Sequence, residues 1–419
     1  MRIRVEGGSP LNGTYHPSGS VNATLALLAA ALLSDQPVTL HNVPRTSIVT
    51  TLTDLAEQLG AQVIWNADAL HIQTTKLTRR VLTTEDTQAS VGAILFLAPI
   101  LVHRRHARVE FDFPLHRIRT HLEALRDLGL DVQNSEGAVE CKAMEWDERS
   151  ILLTQASVTA TALVMMLAAC LGRQTIIHNA ACEPQIQVLA HFLMQMGASI
   201  DGIGSNCLTI RKAESLQGAE MRVPSDHIEA ASIAAIAAMT GGRIQIAGTH
   251  AADLIMIQKI YRRFGIALDL DQDSIFVPRH EALTVSSRDE DVDSSIETAP
   301  WPGFPSDLVG VATVIATQAR GTSLIHEKLF NNRLIFVDKL KAMGAQIVLC
   351  DPHRAIVVGG TPLRGIYMDS PDMRTGFGLL AAALVADGIT EIDNAEAIDR
   401  WFVGALEKLK QLNAHIAII

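Results

Sequence analysis

Aromatic side chains are scarce in this chain: Trp, Tyr and Phe together make up 4 % of 419 residues. Hydrophobic residues still reach 48 %, so the core must be built from Ala, Leu, Ile and Val, a composition that suits helices laid on sheets. Cysteine is sparse as well. Cys141, Cys170, Cys182, Cys207 and Cys350 are odd in number, widely spaced and without a CxxC pair. That pattern points to a reducing compartment and away from a structural zinc site. A basic excess is missing. The net charge of −10 argues against nucleic acid as a partner, because a phosphate backbone calls for a basic footprint. No apolar run is long enough to cross a bilayer, and the longest, 24–33 and 160–171, read as buried helices. The opening MRIRVEGGSP reads as a strand rather than a secretory segment. The expectation is a soluble cytoplasmic protein with no membrane partner. The chain also lacks a GxxxxGK[ST] loop and a GxGxxG following a strand. HRRH at 103–106 has i, i+3 spacing with no third ligand and reads as a basic turn. Neither a metal nor a cofactor is expected.

What is present is repetition. One phrase recurs six times: an amphipathic helix, a small turn residue, then a strand. It reads LAEQLGAQV (55–63), LEALRDLGLDV (122–132), HFLMQMGASI (191–200), IYRRFGIALDL (260–270), DKLKAMGAQIV (338–348) and LEKLKQLNAHI (406–416). The turn residues are Gly60, Gly129, Gly197, Gly265, Gly344 and Asn413, at spacings of 69, 68, 68, 79 and 69. A period held over the whole chain means one supersecondary unit copied six times. Gly or Asn at that place suits a helix end that must adopt positive φ.

A second phrase alternates with the first: an Ala/Leu helix, a polar turn and a strand. Its copies begin at 24, 92, 160, 230, 310 and 376. This helix is apolar nearly all round and is expected to be buried, whereas the first carries charge on one face. The predicted fold class is α/β, with six βαβαβ units. A length of 419 residues favours two domains of about 200 residues each. The division three plus three puts the first domain at 20–226, and the second at 227–419 together with 1–19. Three buried helices inside each domain with sheets around them would satisfy the pattern. A cleft between two such domains is the default ligand site.

The most specific string is APWPGFPSDL (299–308). It stands with SGSVNATLALLAAALL (18–33), LHNVPRTSIV (40–49), NAACEPQI (179–186), SDHIEA (225–230), NNRLIFV (331–337), DMRTGFGLL (372–380) and IDRWF (398–402). In this order and over the whole chain, these segments resemble the enolpyruvyl transferase family, most of all its branch acting on UDP-N-acetylglucosamine in peptidoglycan synthesis. The resemblance implies a two-domain inside-out α/β barrel that closes on phosphoenolpyruvate and a UDP-sugar. It implies addition of a sugar hydroxyl across the phosphoenolpyruvate double bond, then loss of phosphate. Such chemistry needs a base for the hydroxyl proton, an acid for the methylene carbon, fixed cations for carboxylate and phosphate, and exclusion of water.

By the same resemblance, Asp307 matches the base, although a carboxylate just before an apolar helix also suits an N-cap. Arg374 and Arg400 match arginines that grip phosphoenolpyruvate, and Arg333 one that borders the cleft. The planar guanidinium fork suits carboxylate and phosphate. Asn22 matches a residue touching both ligands. Ser157 and Val158 match the cradle of the nucleotide diphosphate, Glu183 an acid of that side, and Leu329 an apolar position whose backbone meets the sugar nucleotide. His227 stands where the family has an Arg, and His116, beside Arg117, aligns with an Arg of the mobile loop.

The chain also departs from the family. A catalytic Lys is replaced by Val21, an Arg by Gln88, and a Lys and a Gly of the nucleotide cradle by Gln155 and Thr159. A second acid is replaced by Gln185. By the resemblance, the loop 108–125 is about three residues shorter and has no Cys, where the family carries a Cys, or an Asp in some members, that serves as general acid and is attacked by fosfomycin. Asp112 could replace that acid in principle. Three readings follow: an enolpyruvyl transferase with altered or lost activity, a non-catalytic paralogue binding a nucleotide sugar or a partner, or a transferase with a different acceptor.

Overall fold

Strands and helices alternate along the chain in a computed structural model that describes residues 1–89, 91–285, 295–369, 373–399 and 401–419. The strands gather into six four-stranded sheets of a single topology. In each sheet the first strand runs parallel to the second, the second pairs antiparallel with the third, and the third antiparallel with the fourth. The sheet made of Trp146–Leu152, Gly172–His178, Cys207–Arg211 and Ser199–Asp201 shows the pattern.

The chain divides into two compact units, 19–224 and 1–18 with 225–419. In the unit 19–224 the strand Glu220–Arg222 returns from its far end to run parallel to Val38–His41. In the other unit the start of the chain completes two sheets. Asn12–Tyr15 runs parallel to Arg243–Ala247. Ile3–Glu6 inserts between Ile389–Asp393 and His415–Ile418, antiparallel to both.

Three apolar helical segments pack against one another at the centre of each unit. In 19–224 they are Val21–Ala31, the stretch Val91–Phe96 with Leu97–Arg104, and Val158–Leu171. In the other unit they are His227–Met239, Val309–Gln318 and Met373–Val385. Leu27, Leu28, Leu163, Ile233 and Val314 are fully removed from solvent, and burial of such a side chain stabilises by about 1.5–3 kcal/mol. The chain is thus an inside-out α/β protein, with helices in the core and sheets around them.

The amphipathic helices end as their sequences predict. Gly60, Gly129, Gly197, Gly265 and Gly344 have φ between 80° and 115°, and Asn413 has φ 82°. At Gly60 a Cβ would also stand 2.6 Å from the Lys76 carbonyl oxygen. One expected helix differs: in the second repeat a 3-10 turn, Val91–Phe96, precedes the α-helix Leu97–Arg104. Pro99 explains the break, because it has no N–H to donate one turn back and is tolerated only in a first turn. The HRRH string is only partly a turn. His103 and Arg104 close that helix, Arg105 takes positive φ, and His106 opens a strand. Among the described residues no helix is long and apolar enough to cross a membrane.

Candidate functional site

The residues singled out by the sequence concentrate at the N-terminal ends of the buried helices. Asn22 is the second residue of Val21–Ala31, capped by Ser20. Ser157 caps Val158–Leu171, its hydroxyl accepting from the Ala160 amide at 3.3 Å. His227 opens His227–Met239, capped by Asp226, whose Oδ1 accepts from the amides of Ile228 and Glu229 at 2.9 and 3.1 Å. Asp307 lies in the turn Ser306–Leu308 just before Val309–Gln318. Arg374 is the second residue of Met373–Val385. Arg400 lies outside the described residues. Helix N-termini present unpaired N–H groups and a partial positive charge, and so favour anionic ligands.

In the unit 1–18 with 225–419, the structure joins Asp307 to Arg333. Both terminal nitrogens of the guanidinium donate to Asp307 Oδ1, at 3.1 and 3.2 Å. The Arg333 side chain is 7 % exposed and that of Asp307 48 %. Asp307 does not cap the following helix, whose N-cap position carries no side-chain hydrogen bond. Arg333 also lies over the Phe330 ring, 4.9 Å from its centroid. One carboxylate oxygen of Asp307 is therefore pinned and the carboxylate remains half open to solvent.

The half-buried His227 stacks edge-on against Trp301 at 5.7 Å. Burial pulls its pKa down, against the opposing pull of Asp253 and Asp307. The imidazole is thus held toward its neutral form and does not supply the charge of an arginine. Burial conversely raises the Asp253 carboxyl, with His227 and His250 working against it. Leu329 is exposed, and its backbone amide donates to Glu327 Oε1 at 2.8 Å.

In the unit 19–224, Val21 is completely buried. Gln88 and Asp112 meet: the Gln88 amide donates to Asp112 Oδ2 at 2.8 Å. The loop after the strand His106–Glu110 packs against itself. Phe111 and Phe113 lie 5.0 Å apart, and the Arg117 guanidinium sits 5.9 Å over Phe113. His116 and Arg117 are exposed in the turn Leu115–Ile118, which leads into the helix Arg119–Asp127. That helix packs on Val158–Leu171. Glu183 is half-buried at the start of Pro184–Gln195.

Two residues outside the sequence candidates organise these places. His121 is buried, with its Nε2 2.8 Å from the Thr159 hydroxyl, and burial lowers its pKa to about 4. A signal for it was present, because His121, Leu125 and Leu128 follow the i, i+4, i+7 spacing of an apolar face. Glu327 is completely buried. It carried no such signal, since HEKLFNNR reads as a solvated charged stretch.

Residues 5–409 match the family described as EPSP synthase (3-phosphoshikimate 1-carboxyvinyltransferase). The chain is 37 % identical over 418 residues to the UDP-N-acetylglucosamine 1-carboxyvinyltransferase of Borrelia garinii subsp. bavariensis, covering 98 % of this chain and 97 % of that one. It is 39 % identical over 419 residues to the protein of the same name from Bradyrhizobium diazoefficiens, with 98 % and 96 % covered. Among solved structures, the enolpyruvyl transferase NikO from Streptomyces tendae superposes with a TM-score of 0.88 at 20 % identity, over 99 % of this chain and 98 % of that one. EPSP synthase from Acinetobacter baumannii superposes with a TM-score of 0.77 at 14 % identity, over 100 % of both. These two likenesses show the shared fold. The chain belongs to the EPSP synthase, or enolpyruvyl transferase, family and resembles its UDP-N-acetylglucosamine 1-carboxyvinyltransferases.

Proposed function

We propose that this chain binds a UDP-sugar, receiving a sugar hydroxyl at the Asp307 oxygen that Arg333 leaves open, and that enolpyruvyl transfer from phosphoenolpyruvate is altered or lost. The observation that carries the second half is Val21, fully buried where the family has its catalytic Lys. An isopropyl group neither donates a hydrogen bond nor neutralises an anion. Gln88, in the place of an Arg, is engaged with Asp112 and adds no charge. His227 is drawn toward neutrality. The loop 111–118 holds no thiol, and its acid, Asp112, is engaged by the Gln88 amide. Each lost charge-assisted contact costs about 1.5–3 kcal/mol, so the grip on phosphoenolpyruvate falls to Arg374 and Arg400.

The nucleotide-sugar half rests on the placement of Asn22, Ser157, Val158, His116, Arg117 and Glu183 at helix starts or in the turns leading to them, and on the exposed loop residue Leu329. Names of relatives supply the ligand class, UDP-N-acetylglucosamine. A different acceptor is the second reading, favoured by the intact Asp307–Arg333 pair, which remains able to orient a hydroxyl.

The test is purified protein with UDP-N-acetylglucosamine and phosphoenolpyruvate. Expected are micromolar-range heat on titration with the UDP-sugar, little phosphate release and no labelling by fosfomycin. Asp307→Asn should weaken the UDP-sugar by about tenfold, the equivalent of one charge-assisted hydrogen bond. Phosphate release at ordinary enzyme concentrations overturns the proposal. Absence of nucleotide affinity, with turnover of another hydroxyl compound, selects the second reading.

A further inference from the structure

Glu327 is completely buried at the end of the strand Gly321–His326. A buried carboxylate is costly unless hydrogen bonds replace its water. Here four donors do so. Oε1 accepts from the Thr298 hydroxyl at 3.0 Å and from the backbone amides of Leu329 and Phe330 at 2.8 and 3.0 Å. Oε2 accepts from the Ser306 hydroxyl at 2.6 Å. Thr298 in turn accepts from the Lys328 amide at 2.9 Å. The backbone of Glu327 is fastened from its other side by His353, whose carbonyl accepts from the Glu327 amide and whose Nδ1 meets the Glu327 carbonyl, both at 2.8 Å.

These donors come from two loops. One runs through Thr298 and Ser306 and carries Asp307 as the residue after Ser306. The other runs through Leu329 and Phe330 and carries Arg333. The same two loops meet again where Arg333 donates twice to Asp307, with Phe330 under the guanidinium. The loops of Asp307 and Arg333 are thus held by one buried side chain at their roots and by each other at their tips.

We infer that Glu327 is the positioning residue of this site: by clasping the Ser306 hydroxyl and the Leu329 and Phe330 amides, it sets the orientation in which Asp307 meets Arg333. Its consequence for ligand binding rests on the function proposed above, whereas its consequence for the Asp307–Arg333 pair does not. Glu327 acts through the two loops it holds, by way of Ser306, Leu329 and Phe330. An amide of the same shape keeps one acceptor oxygen, but Ser306 must turn its hydroxyl to accept from the new NH2 instead of donating. The clasp then loses the stronger, carboxylate-type hydrogen bonds to both loops, although the volume is unchanged.

The experiment is Glu327→Gln, read in two ways in the full chain. Solvent exchange of the Arg333 guanidinium protons, followed by NMR, reports the pair without any ligand. Titration with UDP-N-acetylglucosamine reports the site. The expected result is a folded variant by circular dichroism, with Arg333 exchange at least about tenfold faster and UDP-sugar affinity about tenfold weaker, the equivalent of one charge-assisted hydrogen bond. Added to Asp307→Asn, it should cause little further loss, since both act at one carboxylate. Unchanged Arg333 exchange in a folded variant overturns the inference, as does full additivity with Asp307→Asn. If Glu327→Gln does not fold, Ser306→Ala removes a single donor and is judged by the same exchange criterion. If the wild-type protein ignores the UDP-sugar, the proposed function fails while the exchange measurement still decides the role of Glu327.

Discussion

Asp307 and Arg333 spend much of their charge on each other, and this shapes what the site has to offer. Arg333 was read from the sequence as a cation at the border of a cleft, yet it is nearly buried and gives both terminal nitrogens to one carboxylate oxygen. Its two terminal nitrogens hold Asp307 Oδ1 in place. Buried histidines carry the pH dependence at this scale. His121 titrates at about 4 in the folded chain against an ordinary value of 6.5, with burial as the main cause. Above pH 6.5 it is neutral in both states and contributes nothing. As pH falls from 6.5 to 4 the unfolded chain takes up a proton that the folded chain refuses, so stability drops, by up to about 3 kcal/mol in total. Below 4 the effect levels off. Urea unfolding of His121→Gln across this range should show a correspondingly shallower pH slope than the wild type; identical slopes would show that His121 is not the group responsible.

At the scale of elements, six helix ends make a controlled series. Gly60 needs φ 112° and has no room for a Cβ beside the Lys76 carbonyl. Gly60→Ala should therefore cost about 1–3 kcal/mol, from backbone strain and the clash together. Asn413 already tolerates φ 82° in the last copy. Asn413→Gly should change stability by no more than about 0.5 kcal/mol, measured by the same urea titration. Asp226 caps His227–Met239 with two amide bonds, and Asp226→Ala should cost about 0.5–2 kcal/mol. It should also loosen His227, visible as a change in the His227 ring resonances. The helix starts thus serve stability and site at once, because the first turn is where unpaired N–H groups are available to a capping residue or to a ligand.

At the scale of the whole molecule, each unit encloses its own trio of apolar helices. In the unit 1–18 with 225–419 two of them approach backbone to backbone: a Cβ on Gly378 would lie 3.1–3.3 Å from atoms of Gly310. Gly378→Val should overpack this contact and cost about 1–3 kcal/mol. Hydrogen exchange should then lose protection in Val309–Gln318 and His227–Met239 before it does so in Val158–Leu171; uniform loss across all three would contradict the account. The sequence by itself determined the repeat, the alternation of buried and half-exposed helices, the positive-φ turns at Gly60 through Asn413 and the family. Each of these is written in spacing, apolar periodicity or a local conformational need. Even the 3-10 break at Pro99 was there to be read, although the apolar run concealed it. Only the tertiary structure decided that Asp307 is paired rather than capping, that Gln88 reaches Asp112, that Ile3–Glu6 enters the last sheet, and that Glu327 is a buried hub rather than a surface charge. The reason is the same in every case: pairing and burial of a charge depend on groups far along the chain, which no local pattern of residues records.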